Sequence, residues 1–229
     1  MRIVVTRPKE KVIRTSEKLK EMNHIPIMMP LSYFTYKKES VFLACKKPYS
    51  AIAITSSESL NVLPPDISRQ TIIFAVGKES ASLAKKKGFY NTFHGTSNSV
   101  DLAQKIIQQR SLFTSEKPLL YLGGKPRSSD FENHLIKHNI PVKIIDCYNN
   151  CGIVYSRDEI KIKLRNADAV LFYAKSAVSY FFLLPLPKNM AVNFFCLSQS
   201  IAAEIPELYR KNVYISHFPE EHSLLKLLI

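Results

Sequence analysis

Three segments of the chain return later in it, in the same order and at nearly the same spacing. HIPIMMP at 24–30 is echoed by NIPVKII at 139–145, AIAITSSESL at 51–60 by AVLFYAKSAV at 169–178, and FAVGKESASLA at 74–84 by FCLSQSIAAEI at 195–205. The matched pairs Ile25 and Ile140, Ala51 and Ala169, and Phe74 and Phe195 differ by 115, 118 and 121 positions. Each copy continues as strand, small polar turn, helix. A chain that repeats in this way reads as two like α/β units of about 115 residues, an ordinary domain size. Two such units suggest a cleft between them, where ligands usually bind.

The hydrophobic pattern agrees. Short apolar runs bounded by turn residues mark strands at Ile3–Thr6, Ile25–Pro30, Ala51–Thr55, Thr71–Val76, Pro118–Leu122, Val142–Ile145, Ala169–Tyr173, Ala191–Leu197 and Val213–Ser216. Helical spacing appears in Val12, Ile13, Ser16, Leu19 and Met22, and over Ser59–Leu63, Ser80–Lys87, Ser99–Gln108, Asp130–His138 and Ala177–Leu184. Gly88 follows a Lys-rich last turn as a helix stop. Strand and helix alternate almost throughout, which predicts parallel sheets with right-handed crossovers.

The chain has 229 residues, 46% hydrophobic and 22% charged, ordinary values for a globular protein. No apolar run approaches the ~20 residues that cross a bilayer. MRIVVTRPKE is too short in apolar residues for a signal peptide and reads as a buried first strand, so a cytoplasmic protein is expected. Its thiols, Cys45, Cys147, Cys151 and Cys196, are then expected to be reduced. In IIDCYNNCG, Cys147 and Cys151 bracket Tyr148 with C-x3-C spacing. No neighbouring pair completes the four ligands of a zinc site. His134 and His138 are spaced i, i+4, but no Glu follows His134 as H-E-x-x-H requires, and Leu135 and Ile136 look like the buried stripe. These are expected to be surface histidines. If 144–152 is extended, Tyr148 and the two cysteines point to opposite faces.

The net charge is +13, from 32 Lys and Arg against 19 Asp and Glu. Such a surplus attracts polyanions. The basic residues are scattered, and no zinc-finger, RRM or KH signature appears, so a small polycarboxylate fits as well as a nucleic acid. There is no G-x-G-x-x-G or G-x4-G-K-[ST] phosphate loop. What recurs is a strand ending in small polar residues that open a helix: Thr55-Ser56-Ser57 and Gly77-Lys78-Glu79-Ser80 in one half, Tyr173-Ala174-Lys175-Ser176 and Ser198-Gln199-Ser200 in the other. Free N–H groups at helix starts bind anions, and open α/β sheets place ligands at these strand ends. Any single serine can equally be an ordinary cap. Gly123-Gly124, followed by Lys125 and Arg127, is a further place where backbone could approach an anion.

IVVTRP (3–8), HIPIMMPL (24–31), AIAITSSESL (51–60), FAVGKESASLAKKKGF (74–89), LLYLGGKPRSSDFENHL (119–135), CYNN (147–150) and AVLFYAKSAVSYF (169–181) together resemble, in order and spacing, the uroporphyrinogen-III synthase family. The resemblance implies two similar parallel-sheet α/β domains joined by a two-stranded linker, with the active site in the interdomain cleft. One domain would combine 1–33 with 154–229, the other span 39–145, with linkers at 34–38 and 146–153. It implies a cofactor-free, metal-free hydro-lyase of tetrapyrrole (heme) biosynthesis, cytoplasmic and monomeric, with no nucleic-acid or membrane partner. Its substrate would be hydroxymethylbilane, closed to a macrocycle with inversion of the last pyrrole and loss of water.

Residue by residue, Tyr148 matches the family's recurrent tyrosine and is the expected catalytic group. The expected substrate-binding residues are Arg7, Thr55, Ser56, Ser57, Gly77, Lys78, Ser80, Gly124, Lys125, Lys175, Ser176, Ser198 and Ser200. Arg7 could bind a carboxylate or hold its own turn. The second half departs from the pattern: Tyr173-Ala174-Lys175 lacks the hydroxyls of the first, and Ile201 stands where a threonine is usual. A two-domain protein that binds a polyanionic small molecule without catalysis would share the turns, and a nucleic-acid binder would instead need a contiguous basic face and steep salt dependence.

Overall fold

A computed structural model describes residues 1–96, 98–187 and 190–229. The chain divides into two compact units, Met1–Tyr33 with Cys151–Ile229, and Phe34–Asn150. In chain order the elements are β1 (Arg2–Val5), α1 (Lys9–Glu21), β2 (Ile25–Met28), β3 (Ser32–Tyr36), α2 (Lys38–Cys45), β4 (Ala51–Ile54), β5 (Ile72–Ala75), α3 (Lys78–Lys86), β6 (Thr92–His94), α4 (Ser99–Gln108), β7 (Leu119–Lys125), α5 (Asp130–Lys137) and β8 (Val142–Gly152). They continue with α6 (Arg157–Leu164), β9 (Ala169–Phe172), α7 (Lys175–Phe182), β10 (Asn193–Cys196), α8 (Gln199–Ala202), β11 (Val213–Ile215) and α9 (Glu221–Leu225).

The first unit carries a five-stranded sheet of order β11-β10-β9-β1-β2, parallel throughout. The second carries a six-stranded sheet of order β3-β8-β7-β4-β5-β6. The repeated segments occupy equivalent places: β10-β9-β1-β2 in one sheet answers to β5-β4-β7-β8 in the other. Central strands are buried on both faces, as parallel sheets require. In β4, Ile52 and Ile54 join one core cluster, while Ala51 and Ala53 join the cluster on the other face. In β9, Val170 and Phe172 oppose Ala169 and Leu171 in the same way.

Helix boundaries follow local chemistry. α1 has Glu10 in its first turn and Lys18 and Lys20 in its last, which suits the helix dipole, and it buries Val12, Thr15, Ser16 and Leu19. Asn23, Asn139 and Asn166 follow α1, α5 and α6 in left-handed conformation, a role asparagine tolerates. Gly88 stops α3 at φ 94°, as its position suggested. α6 was not expected. Its Ile-x-Ile spacing obscures the helical period, yet Ser156 and Glu159 form a reciprocal capping box that a sequence search could find. The three-residue β6 carries too few apolar residues to register, and the edge strand β3 overlaps the expected linker 34–38, beginning earlier at Ser32. On α5 the buried residues are Phe131 and Leu135, whereas Ile136 is 56% exposed, so of the expected Leu135–Ile136 stripe only Leu135 is buried.

The C-terminal helix is fastened to the first unit by one carboxylate. Glu221 Oε1 accepts from Arg7 Nη1 at 2.6 Å and from Thr15 Oγ1 at 2.6 Å, and its other oxygen accepts from Lys18. Burial pushes its pKa up, but the bonds from Lys18 and Thr15 and the charge of Arg7 outweigh this and hold it below the usual 4.5. Stability from such a group is present above the unfolded-state value and is lost as pH falls through the folded one. Glu221→Gln is therefore expected to lower unfolding free energy at pH 7 by about 2 kcal/mol. The gap from the parent should close in denaturant titrations carried down to pH 3; a gap constant with pH would show that the ion pairs contribute nothing.

Candidate active site

In a parallel sheet all carboxyl ends lie on one edge. In the second unit that edge collects four segments. β4 runs into Thr55-Ser56-Ser57, where Ser56 caps a 3-10 helix (Ser57–Asn61) by accepting from the Glu58 N–H at 3.2 Å. β5 runs into Gly77, the N-cap of α3, with Lys78 exposed beside it and Ser80 only 8% exposed. β7 ends in Gly123-Gly124-Lys125, and β8 passes through Asp146, Cys147 and Tyr148.

β7 and β8 pair with a register shift: Gly123 faces Asp146, but Gly124 faces Tyr148. Cys147 is thus an extra residue, a β-bulge, of the kind that re-aims the next side chain. The result is that the Tyr148 ring fills the space beside Gly124 that a side chain would take. A Cβ at Gly124 would sit 2.2 Å from two ring carbons and 2.5 Å from the hydroxyl oxygen. Phe34 meets the same ring edge-on at 5.5 Å. Ser56 hydrogen-bonds the Tyr148 hydroxyl, and burial outweighs that bond to push the phenol up to about 12. Around it, Thr55 Oγ1 bonds Tyr121 Oη at 2.9 Å, and the Tyr36 hydroxyl donates to the buried Glu58 at 2.8 Å.

The first unit has its own carboxyl-end turns. Arg7, after β1, is bound to Glu221 and Thr15, and its guanidinium stacks 4.4 Å from the Tyr173 ring centre. Tyr173, after β9, is raised by burial and by the charge of Glu221. Lys175 begins α7 and pairs with Glu204 at 3.2 Å, with Ser176 half-buried behind it. Ser198 and Ser200 bond to each other at 3.1 Å at the start of α8, which is a single turn rather than the helix the repeat led one to expect.

A family model described as uroporphyrinogen-III synthase HemD matches residues 13–226. The chain belongs to the uroporphyrinogen-III synthase family. Its fold is similar to that of the uroporphyrinogen-III synthetase from Helicobacter pylori 26695, at 18% identity, TM-score 0.69, over 100% of this chain and 98% of that one. It is also similar to a mutant uroporphyrinogen III synthase from the extremely thermophilic bacterium Thermus thermophilus, at 16% identity, TM-score 0.62, over 100% of this chain and 97% of that one. No curated protein matches.

For this family member the bulge revises the expected geometry of β8. Cys147 and Tyr148 do not point to opposite faces, because the bulge breaks the alternation: both pack on the cluster that holds Ile145. Cys147 is fully buried, 3.6 Å from Ser59 Oγ, and burial raises its thiol to about 11, so it is a core residue. Cys151 falls in the other unit. Gly124 lies inside β7, buried, and its open side is filled by Tyr148. Lys125 pairs with Asp146 at 2.6 Å, and Arg7 with the chain's own Glu221, so the carboxylates they hold here are internal. Thr55, Ser56, Ser57, Gly77 and Lys78 stand with Tyr148 at one sheet edge. Sequence reading missed Tyr36, Glu58, Asn61 and Phe34. Glu58 was the sole acid in a hydroxyl-rich turn, and that was the available signal.

Gly124→Ala is expected to displace the Tyr148 ring, since a ring wedged against backbone has nowhere to yield. Unfolding free energy should fall by about 2 kcal/mol, within the range for overpacking, and turnover should fall with it. Wild-type activity and stability in this variant would mean that the ring does not lie on Gly124.

Proposed function

We propose that the chain closes hydroxymethylbilane to uroporphyrinogen III, a hydro-lyase reaction, with Tyr148 as the catalytic group. The observation that carries this reading is a neutral, half-buried phenol packed against Gly124 and hydrogen-bonded by Ser56 at the carboxyl edge of a parallel sheet. Ser56 Oγ already accepts the Glu58 N–H, so its own proton is available for the Tyr148 oxygen. That leaves the Tyr148 proton to donate to an incoming group.

The substrate's hydroxymethyl C–O bond breaks with its electron pair going to oxygen. The pyrrole ring supplies electrons to the methylene carbon, and the hydroxide leaves with the pyrrole N–H proton as water. The last pyrrole attacks that methylene carbon through its substituted position, forming a spiro intermediate. In the spiro intermediate the older bond between that substituted ring carbon and the neighbouring methylene breaks, its electron pair restoring the last pyrrole. The freed methylene carbon, an electron-poor azafulvene on the third pyrrole, is attacked by the last pyrrole's other α carbon, which then loses its proton, so the ring is inverted. A phenol near pKa 12 is too weak an acid to transfer its proton outright at neutral pH, but it stabilises the departing oxygen as a hydrogen-bond donor. The larger task is holding a flexible chain in a closing geometry. We assign that to the turns at Thr55–Ser57 and Gly77–Ser80, and to those at Lys175–Ser176 and Ser198–Ser200, whose N–H groups suit carboxylates. Lys78, exposed at the start of the nine-residue α3, adds charge there. The reading includes a monomer in a reducing compartment.

Purified protein fed with enzymatically generated hydroxymethylbilane should yield the type III isomer. Recovery of the spontaneous type I isomer alone would count decisively against the proposal. Tyr148→Phe should lower kcat by about tenfold or more, in the lower range for general-acid groups. Cys151→Ser should stay within about twofold of the parent, as expected of a residue remote from proton donation. Equal losses would remove Tyr148 from its role.

A further inference from the structure

Arg127 stands beside a site read as taking a polycarboxylate, and a cation there invites assignment to the substrate. The geometry points elsewhere. Arg127 Nη1 donates to the Gly124 carbonyl at 2.9 Å and to Asp146 Oδ1 at 2.7 Å. Those two groups belong to different strands, and they flank the bulge: Gly124 lies just after the register shift on β7, Asp146 just before it on β8. One nitrogen therefore ties both strands together across the irregularity that turns Tyr148 onto Gly124. The other end of the guanidinium is fixed as well. Nε donates to Glu132 Oε1 on α5 at 2.5 Å, and the group lies over the Tyr121 ring at 5.6 Å. The side chain is 18% exposed.

The neighbouring glycine is shaped for this arm. A Cβ at Gly123 would meet Arg127 Nε at 2.9 Å and Cδ at 3.0 Å. Successive strand residues face opposite ways. Gly123 thus clears one face of β7 for Arg127, and Gly124 clears the other for Tyr148. Charge is also closed locally. Arg127 and Lys125 meet Asp146 and Glu132, two cations on two carboxylates. Asp146 is held below the usual carboxylate value, because the bonds from Lys125 and Arg127 outweigh its burial.

We propose that Arg127 is a positioning residue for Tyr148, clamping the β7–β8 bulge, and that it does not bind substrate. The kinetic part rests on the synthase reading; the structural part does not. Arg127→Met should lower kcat by about tenfold or more, the scale of a misplaced reacting group, with KM within about twofold of the parent. Arg127→Lys, whose single nitrogen cannot hold Glu132 as well as both strands, should fall between parent and Met variant. A substrate-binding cation would give the opposite split: KM raised and salt-sensitive, kcat retained, and lysine a full replacement. That result would overturn the clamp. Gly123→Ala keeps the charge but pushes the arm aside, and should reproduce the kcat loss if Arg127→Met fails to fold; unchanged kcat there would also overturn it. A readout independent of turnover is 3-fluorotyrosine at position 148. Its 19F resonance should shift or broaden in Arg127→Met and in Gly123→Ala. An unmoved resonance would sink the proposal even if the protein makes type III product, and a moved one would sustain it even if it does not.

Discussion

The contact between the Tyr148 ring and the bare backbone of Gly124 is the constraint around which the candidate site is arranged. A ring can lie that close to a strand only where there is no Cβ. It can point that way only because Cys147 is inserted ahead of it. Without the extra residue the alternation of β8 would carry Tyr148 to the face that Ile144 occupies, and Cys147 would stand opposite Gly124. The position of the phenol thus depends on three adjacent facts of sequence: a paired glycine on one strand, and a cysteine then a tyrosine on the next. The buried environment follows from this seat. It pushes the phenol up to about 12, so the group is protonated at neutral pH.

The sheet architecture was legible in the sequence to a degree that the individual site contacts were not. The repeat places AIAI and AVLF, and FAVG and FCLS, as equivalent strand–turn units, and the two sheets set them in equivalent positions. Apolar runs of four to seven residues with polar turns are strong signals because burial on both faces leaves no alternative reading. The bulge was not legible. Nothing in VKIIDCYNNCG distinguishes a regular strand from one with an inserted residue, since register depends on the partner strand. The same holds for Gly123-Gly124, which local rules read as a turn. Tertiary packing of Arg127 and Tyr148 keeps both glycines inside β7. α6 shows the reverse case: its capping box was present in the sequence, but a β-like Ile-x-Ile spacing outweighed it.

Cations near the strand ends are spent largely on the protein itself. Arg7 and Lys18 serve Glu221; Lys125 and Arg127 serve Asp146 and Glu132; Lys175 serves Glu204. A net charge of +13 therefore does not mean a ring of free lysines at a binding site. It sets a diffuse potential that favours polyanions at distance. The hydroxyls and backbone N–H groups at the turns stand outside these ion pairs.

The two units reach their turns by different chemistry. After β4, hydroxyls dominate: Thr55 bonds Tyr121, and Ser56 bonds both the Glu58 N–H and Tyr148. After β9 the equivalent hydroxyls are absent, and Tyr173, Ala174 and Lys175 take their place. There the Tyr173 ring is packed beneath the Arg7 guanidinium, and its hydroxyl is turned inward to Glu221 at 3.5 Å. That turn is held by an aromatic–cation stack and a buried carboxylate instead of by serine and threonine side chains. What both constructions preserve is the backbone: a strand ending in extended residues, Ser56 and Ala174, followed at once by helical N–H groups. Loss of side-chain hydroxyls in the first unit therefore removes donors that can be replaced by packing, and keeps those that only the main chain supplies. The Tyr148 phenol sits in the unit whose hydroxyls remain, hydrogen-bonded by Ser56.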